Sequence, residues 1–113
     1  MAISVQARKQ KGRKLQQKVR DGLLARFPHL TEDDVRSCAM GSQGEDIQLS
    51  SAAKADIPYS IEAKARAKIG LVYEAIEQAA GQNDLTPVAV VKADRKDALV
   101  VMRLDDWLAL IAK

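Results

Sequence analysis

Asp46, Glu62 and Lys64 are the residues whose types and spacing could do chemistry. Asp46 stands in Gly44-Glu45-Asp46-Ile47, beside strand-forming residues. Glu62 and Lys64 stand two apart in Pro58-Tyr59-Ser60-Ile61-Glu62-Ala63-Lys64. In an extended segment, residues i and i+2 point to one side, about 6–7 Å apart. Glu62 and Lys64 then share a face, and Ile61 and Ala63 turn to the other. With Asp46 on a neighbouring strand, two acids and a lysine converge. Oxygen ligands of this kind suit Mg²⁺, and the lysine places a positive charge near a phosphate. An acid-x-Lys triplet alone is common on exposed strands, so the surrounding elements carry most of the argument.

Those elements follow from pattern. Residues 1–10 read as a flexible basic arm, and residues 11–113 as a single domain. From about Gly12 an apolar stripe of Leu15, Val19, Leu23 and Phe27 predicts a helix ended by Pro28. Short strands are expected over 35–40 and 45–49, joined by the turn-rich Gly41-Ser42-Gln43-Gly44. A polar loop follows, and Pro58 opens a third strand over 59–64. Ile69, Val72, Ile76 and Ala79 predict a helix over about 67–82 that faces the core. Strands over 88–91 and 98–104 flank a turn at Asp94-Arg95-Lys96-Asp97, and Asp105 is placed to cap a last helix. The order α-β-β-β-α-β-β-α predicts an α/β (α+β) domain with a central mixed β-sheet flanked by helices.

Charge is unevenly spread. The net charge is only +3, yet residues 1–20 hold Arg8, Lys9, Lys11, Arg13, Lys14, Lys18 and Arg20 and no acid. The segment 21–64 holds eight acids and four bases, and the remainder is balanced at seven of each. A basic end beside an acidic centre suits a polyanion bound around a metal site. A solvated basic helix face is the plainer reading of the charge by itself. Cys38 is the one cysteine, so no disulfide forms within the chain and a reducing cytoplasm is the simplest setting. No apolar run reaches membrane-spanning length, and the basic N-terminus lacks the apolar stretch of a signal peptide. His29 has no second histidine to share a metal, which argues against HNH chemistry or a multi-histidine zinc site.

Taken in order, these pieces resemble the PD-(D/E)XK nuclease superfamily. The closest likeness is to small phage-type endonucleases and Holliday-junction-resolvase-like members. The matching parts are the basic first helix from Gly12 to Phe27, Gly44-Glu45-Asp46, Glu62-Ala63-Lys64 and Gln78-Ala79. The resemblance implies a restriction-endonuclease-like fold and Mg²⁺-dependent hydrolysis of DNA, with Mn²⁺ able to substitute. It implies Asp46, Glu62 and the Ala63 carbonyl as metal ligands, and Lys64 as the group that assists the attacking water. Gln78 takes a supporting polar role, and Ser42 a place near the scissile phosphate. Arg8, Lys9, Lys11, Arg13, Lys14, Lys18 and Arg20 then contact DNA phosphates. Glu45 precedes Asp46 where the family pattern has proline, and is a weaker candidate.

One departure stands out. Many family members carry a glutamate on the first helix as a further ligand, whereas this helix offers only Gln16 and Gln17. That weakens the case for a second tight metal site. The four aromatic residues fit core or strand positions, so structure-directed or weakly sequence-selective cleavage is expected rather than single-strand stacking. Symmetric cleavage of a four-way junction would require a two-fold homodimer. A phage-encoded enzyme of this kind would act in the cytoplasm of its bacterial host. The competing expectation is a non-catalytic nucleic-acid-binding module that retains the nuclease fold.

Overall fold

In the computed structural model, residues 4–38 and 46–113 are described. The chain is a mixed α+β protein with four helices and two antiparallel two-stranded sheets among those residues. Its contacts group into two compact units, Met1–Ala65 and Arg66–Ile111.

The first unit is built on α1, Val5–Arg26. Ser4 caps it, its hydroxyl accepting from the Ala7 N–H at 3.1 Å. The helix thus begins at Val5 rather than near Gly12, and most of the segment expected as an arm forms its first turns. Phe27 closes the helix ahead of Pro28, its N–H donating to the Leu23 carbonyl. The buried stripe is Gly12, Gln16, Val19 and Leu23. Leu15 is only partly covered. Steps of four, three and four residues hold one face of a helix, whereas repeated steps of four drift by about 40° each. The stripe therefore passes through Gln16.

Helix α1 packs on a hairpin of β1, Val35–Ser37, and β2, Ile47–Leu49. The register pairs Val35 with Leu49 and Ser37 with Ile47. Val35 and Ile47 point inward and are fully buried with Leu23, while Arg36 and Gln48 face out. The segment after β2, expected as a polar loop, is instead a short helix α2, Ser51–Asp56. Six residues cannot hold a helix alone. Ser50 caps this one, and Ala53 and Ile57 are buried beneath it.

The third strand expected over 59–64 does not form a ladder. The segment has no regular secondary structure; its burial alternates from Ser60 to Ala65, as in extended backbone, but no strand pairs with it among the described residues. Pro58 removes one donor at its start. At Ala63 a side chain takes the N–H that a ladder would use.

The second unit contains α3, Gly70–Ala80, the hairpin of β3, Val88–Val91, and β4, Leu99–Met102, and α4, Leu104–Ile111. Helix α3 starts three residues later than expected, and Ile69 is its exposed N-terminal flank rather than a core residue. No side chain caps that end. Ile76, Ala89 and Leu108 are the buried residues of the unit. Cross-strand partners share a face, so Val88, Val90, Val100 and Met102 line one side of the β3–β4 ribbon. Asp105 does not cap α4. It lies with Asp106 in the first turn, where the helix dipole favours an acid. Among the described residues the strands thus form two two-stranded hairpins, and the one central sheet expected is not seen. No helix among the described residues is long and apolar enough to cross a membrane.

Leu23 is fully enclosed between α1 and the hairpin. Leu23→Ala should destabilise the first unit by about 2–5 kcal/mol, through lost burial and a residual cavity. Urea unfolding followed by circular dichroism measures it. A loss below about 1 kcal/mol would contradict this packing.

Candidate functional site

Asp46 sits one residue before β2, at the end of the hairpin where the chain connects its two strands. Its main-chain carbonyl accepts from the Cys38 N–H at 2.8 Å, which extends the β1–β2 pairing by one bond. The Asp46 side chain then reaches the extended segment. Its Oδ2 accepts the Ala63 N–H at 2.8 Å, in partly buried surroundings. That bond joins the lone acid to the middle residue of Glu62-Ala63-Lys64.

On either side of Ala63 the two charged residues turn outward. Lys64 Nζ lies 4.0 Å from Glu62 Oε1, as expected for i and i+2 in extended backbone. Their side chains are 62% and 70% exposed, so the pair contributes little to stability and remains free to meet a ligand. Within the first unit, then, the Asp46 carboxylate is tied to the backbone of the Glu62-Ala63-Lys64 triplet, and Glu62 and Lys64 lie side by side on that triplet.

The donors there are all oxygens: the Asp46 and Glu62 carboxylates and the Ala63 carbonyl. This set fits a hard divalent cation in kind. The bond from Ala63 uses one oxygen of Asp46 and spares the other. No group of three or more His, Cys, Asp or Glu side chains clusters among the described residues. A cation held by two carboxylates would keep several waters, as Mg²⁺ commonly does.

The remaining candidates are distributed unevenly. Gln78 is exposed on α3, an element of the second unit. Ser42, Gly44 and Glu45 lie outside the described residues. Arg8, Lys9, Lys11, Arg13, Lys14 and Lys18 are exposed along α1. Arg20 differs: its guanidinium is 2.9 Å from Asp21 Oδ1, so its charge is locally matched. Gln16, one of the two helix-one amides, is buried at 3% exposure, and Gln17 is half-covered.

Sequence reading missed what holds the extended segment in place. Asp34 Oδ1 accepts from the Ser50 hydroxyl at 2.7 Å, and its Oδ2 accepts from the Thr31 N–H at 2.8 Å and hydroxyl at 3.1 Å. The Ser50 oxygen also accepts from Ala53, so one hydroxyl ties α2 to the start of β1. At the far end of α2, Asp56 Oδ2 lies 2.6 Å from His29 Nε2. His29 thus stands in a connection, paired with Asp56. Ser50 ahead of Ser51-Ala52-Ala53 was a readable cap signal. The His29–Asp56 contact, 27 residues apart, had none.

No family model, curated protein or solved structure matches the chain.

Two outcomes follow. The Thr31 N–H bond chiefly holds the Asp34 carboxyl below its ordinary value, helped by Ser50, the Thr31 hydroxyl and His29, and opposed by burial. A depressed folded-state pKa adds stability above the unfolded value, about 4, and that stability is lost as pH falls through the folded value. Asp34→Asn should therefore be less stable than the native chain at pH 7, with the gap closing below about pH 4. A gap that persists at pH 2 would assign the effect to packing. For Asp46, hydrogen exchange at the Ala63 amide is the direct reporter. Asp46→Ala should speed it markedly, while Asp46→Asn, which keeps an acceptor oxygen, should largely preserve protection.

Proposed function

We propose that this chain is a metal-dependent DNA endonuclease, structure-directed in the manner of junction-resolving or nicking enzymes of phage type. The observation that carries the reading is the 2.8 Å bond from the Ala63 N–H to Asp46 Oδ2, which joins the two separated halves of the sequence motif. The finer fold belongs to the same proposal: a restriction-endonuclease-like arrangement would take the 59–64 segment as its third strand.

Asp46, Glu62 and the Ala63 carbonyl would hold the cation. A bound Mg²⁺ or Mn²⁺ supplies an acidified water and neutralises charge at the phosphate. Lys64 stands beside Glu62 and carries its positive charge to the scissile phosphate or its attacking water. Ala63 keeps the segment in register, because its N–H cannot leave Asp46 without stranding a partly buried amide. The exposed Arg8, Lys9, Lys11, Lys14 and Lys18 of α1 bind the phosphate backbone without reading sequence. Gln78 and Ser42 keep supporting roles in this proposal, and a homodimer would be needed for paired cuts.

Gln16 favours a second reading, a nucleic-acid-binding module without hydrolysis. The amide that occupies the helix-one ligand region is packed into the core, and α1 has no glutamate.

A panel of labelled junction, flap, nicked and linear DNAs separates the two. With Mg²⁺ or Mn²⁺ the native chain should cleave at least one of them, and EDTA or Ca²⁺ should stop it. Asp46→Asn and Glu62→Gln should abolish cleavage while retaining DNA affinity, because each keeps shape and loses the charge that holds the cation. Lys64→Ala should slow cleavage far more than it weakens binding. Undiminished cleavage by all three variants would sink the proposal, and binding without cleavage by the native chain would favour the module.

A further inference from the structure

We propose that α1 seats in the major groove of B-form duplex DNA and reads base edges through Gln6, Gln10, Arg13 and Gln17. The inference rests on the nucleic-acid part of the reading above and does not need hydrolysis. It starts from spacing on an observed helix. These four residues stand at i, i+4, i+7 and i+11 of α1. At about 100° per residue they fall within about 60° of one another. The stripe is turned about 120° from the buried face of Gly12, Gln16, Val19 and Leu23. Gln6, Gln10 and Arg13 are exposed, and Gln17 is half-covered.

The residue types match the task. Glutamine pairs in bidentate fashion with adenine, and arginine with guanine, at the major-groove edge. No acid and no apolar side chain interrupts the stripe between Gln6 and Gln17. Lysines border it on both sides, Lys9 on one and Lys14 and Lys18 on the other, where phosphates of the two strands would lie. Asp21 would add a repelling charge at the next turn, but Arg20 holds it at 2.9 Å, so the stripe ends at Gln17.

Dimensions agree. From Gln6 to Gln17 the rise is about 16 Å, which spans about five steps of 3.4 Å along DNA. A helix with its side chains is about 10–12 Å across, and the major groove is about 12 Å wide. None of residues 4–11 is buried, so the first two turns stand clear of the core. The deep, narrow major groove of A-form RNA would not admit this helix.

The test is selection of tight binders from a random-sequence duplex DNA pool by the full chain in Ca²⁺, followed by titration of selected and scrambled duplexes. The native chain should enrich sequences with fixed purines over about five positions. Gln6→Ala, Gln10→Ala and Gln17→Ala should each lose about 5- to 150-fold in affinity for the selected duplex, with the salt slope unchanged. Arg13→Lys, which keeps the charge and loses the fork, should relax preference at one guanine. Lys14→Ala and Lys18→Ala should weaken both duplexes alike, each lowering the salt slope by about 0.9. Alanine preserves helicity, so circular dichroism keeps folding separate from recognition. Absence of enrichment, glutamine variants that bind as the native chain does, or equal affinity for duplex RNA would each overturn the inference. Enrichment without cleavage in Mg²⁺ would leave it standing while the nuclease reading falls. Cleavage with flat sequence preference would do the reverse.

Discussion

A backbone amide in an extended segment must find an acceptor, and at Ala63 the acceptor is a carboxylate rather than a neighbouring strand. The geometry of the candidate site depends on that substitution. A strand partner would have fixed the segment through several bonds and placed Asp46 through the backbone. Here one charge-assisted bond performs both tasks, and such bonds are stronger than neutral ones. Because the acid is spent on orientation at one oxygen, Glu62 and Lys64 project outward from a fixed residue.

Order on the other side comes from α2. Asp34, Ser50 and Ala53 form one connected set of hydrogen bonds at its start, and His29 meets Asp56 at its end. Ile57 is buried immediately after, and Pro58 restricts the chain that leaves it. Five residues separate Ile57 from Ala63. The segment is thus short, restricted at its entry and fastened at both ends, although among the described residues no strand pairs with it. That arrangement suits a site whose ligands are an acid on one element and an acid-x-lysine on another.

Much of this was legible from local pattern. Val19, Leu23 and Phe27 were readable as the core face of α1, and the two hairpins lay close to the expected strands. The strand expected over 59–64 is absent, yet the shared side of Glu62 and Lys64 holds. What was not legible depended on non-local partners. Strand pairing cannot be read from one segment, so the ladder expected for 59–64 had no local signal against it. Helix α2 is shorter than two turns, too brief for a hydrophobic period, and only its cap gave it away. Gln16 was placed as a ligand-region amide by analogy, while its packing followed the 4-3-4 rhythm of the helix. Asp105 looked like a cap because an acid suits both the cap and the first turn.

The β1–β2 hairpin can be viewed as a beam. Its root is clamped where Asp34 and Ser50 meet beside the Val35–Leu49 pair, and its tip carries Asp46, propped on Ala63. Each strand is three residues long, about 10 Å. The deflection of an end-loaded beam grows steeply with its length, so brevity itself makes the tip rigid. The precision with which Asp46 is held is then governed by span more than by the strength of any one bond. Each added pair of residues would multiply the compliance of the tip.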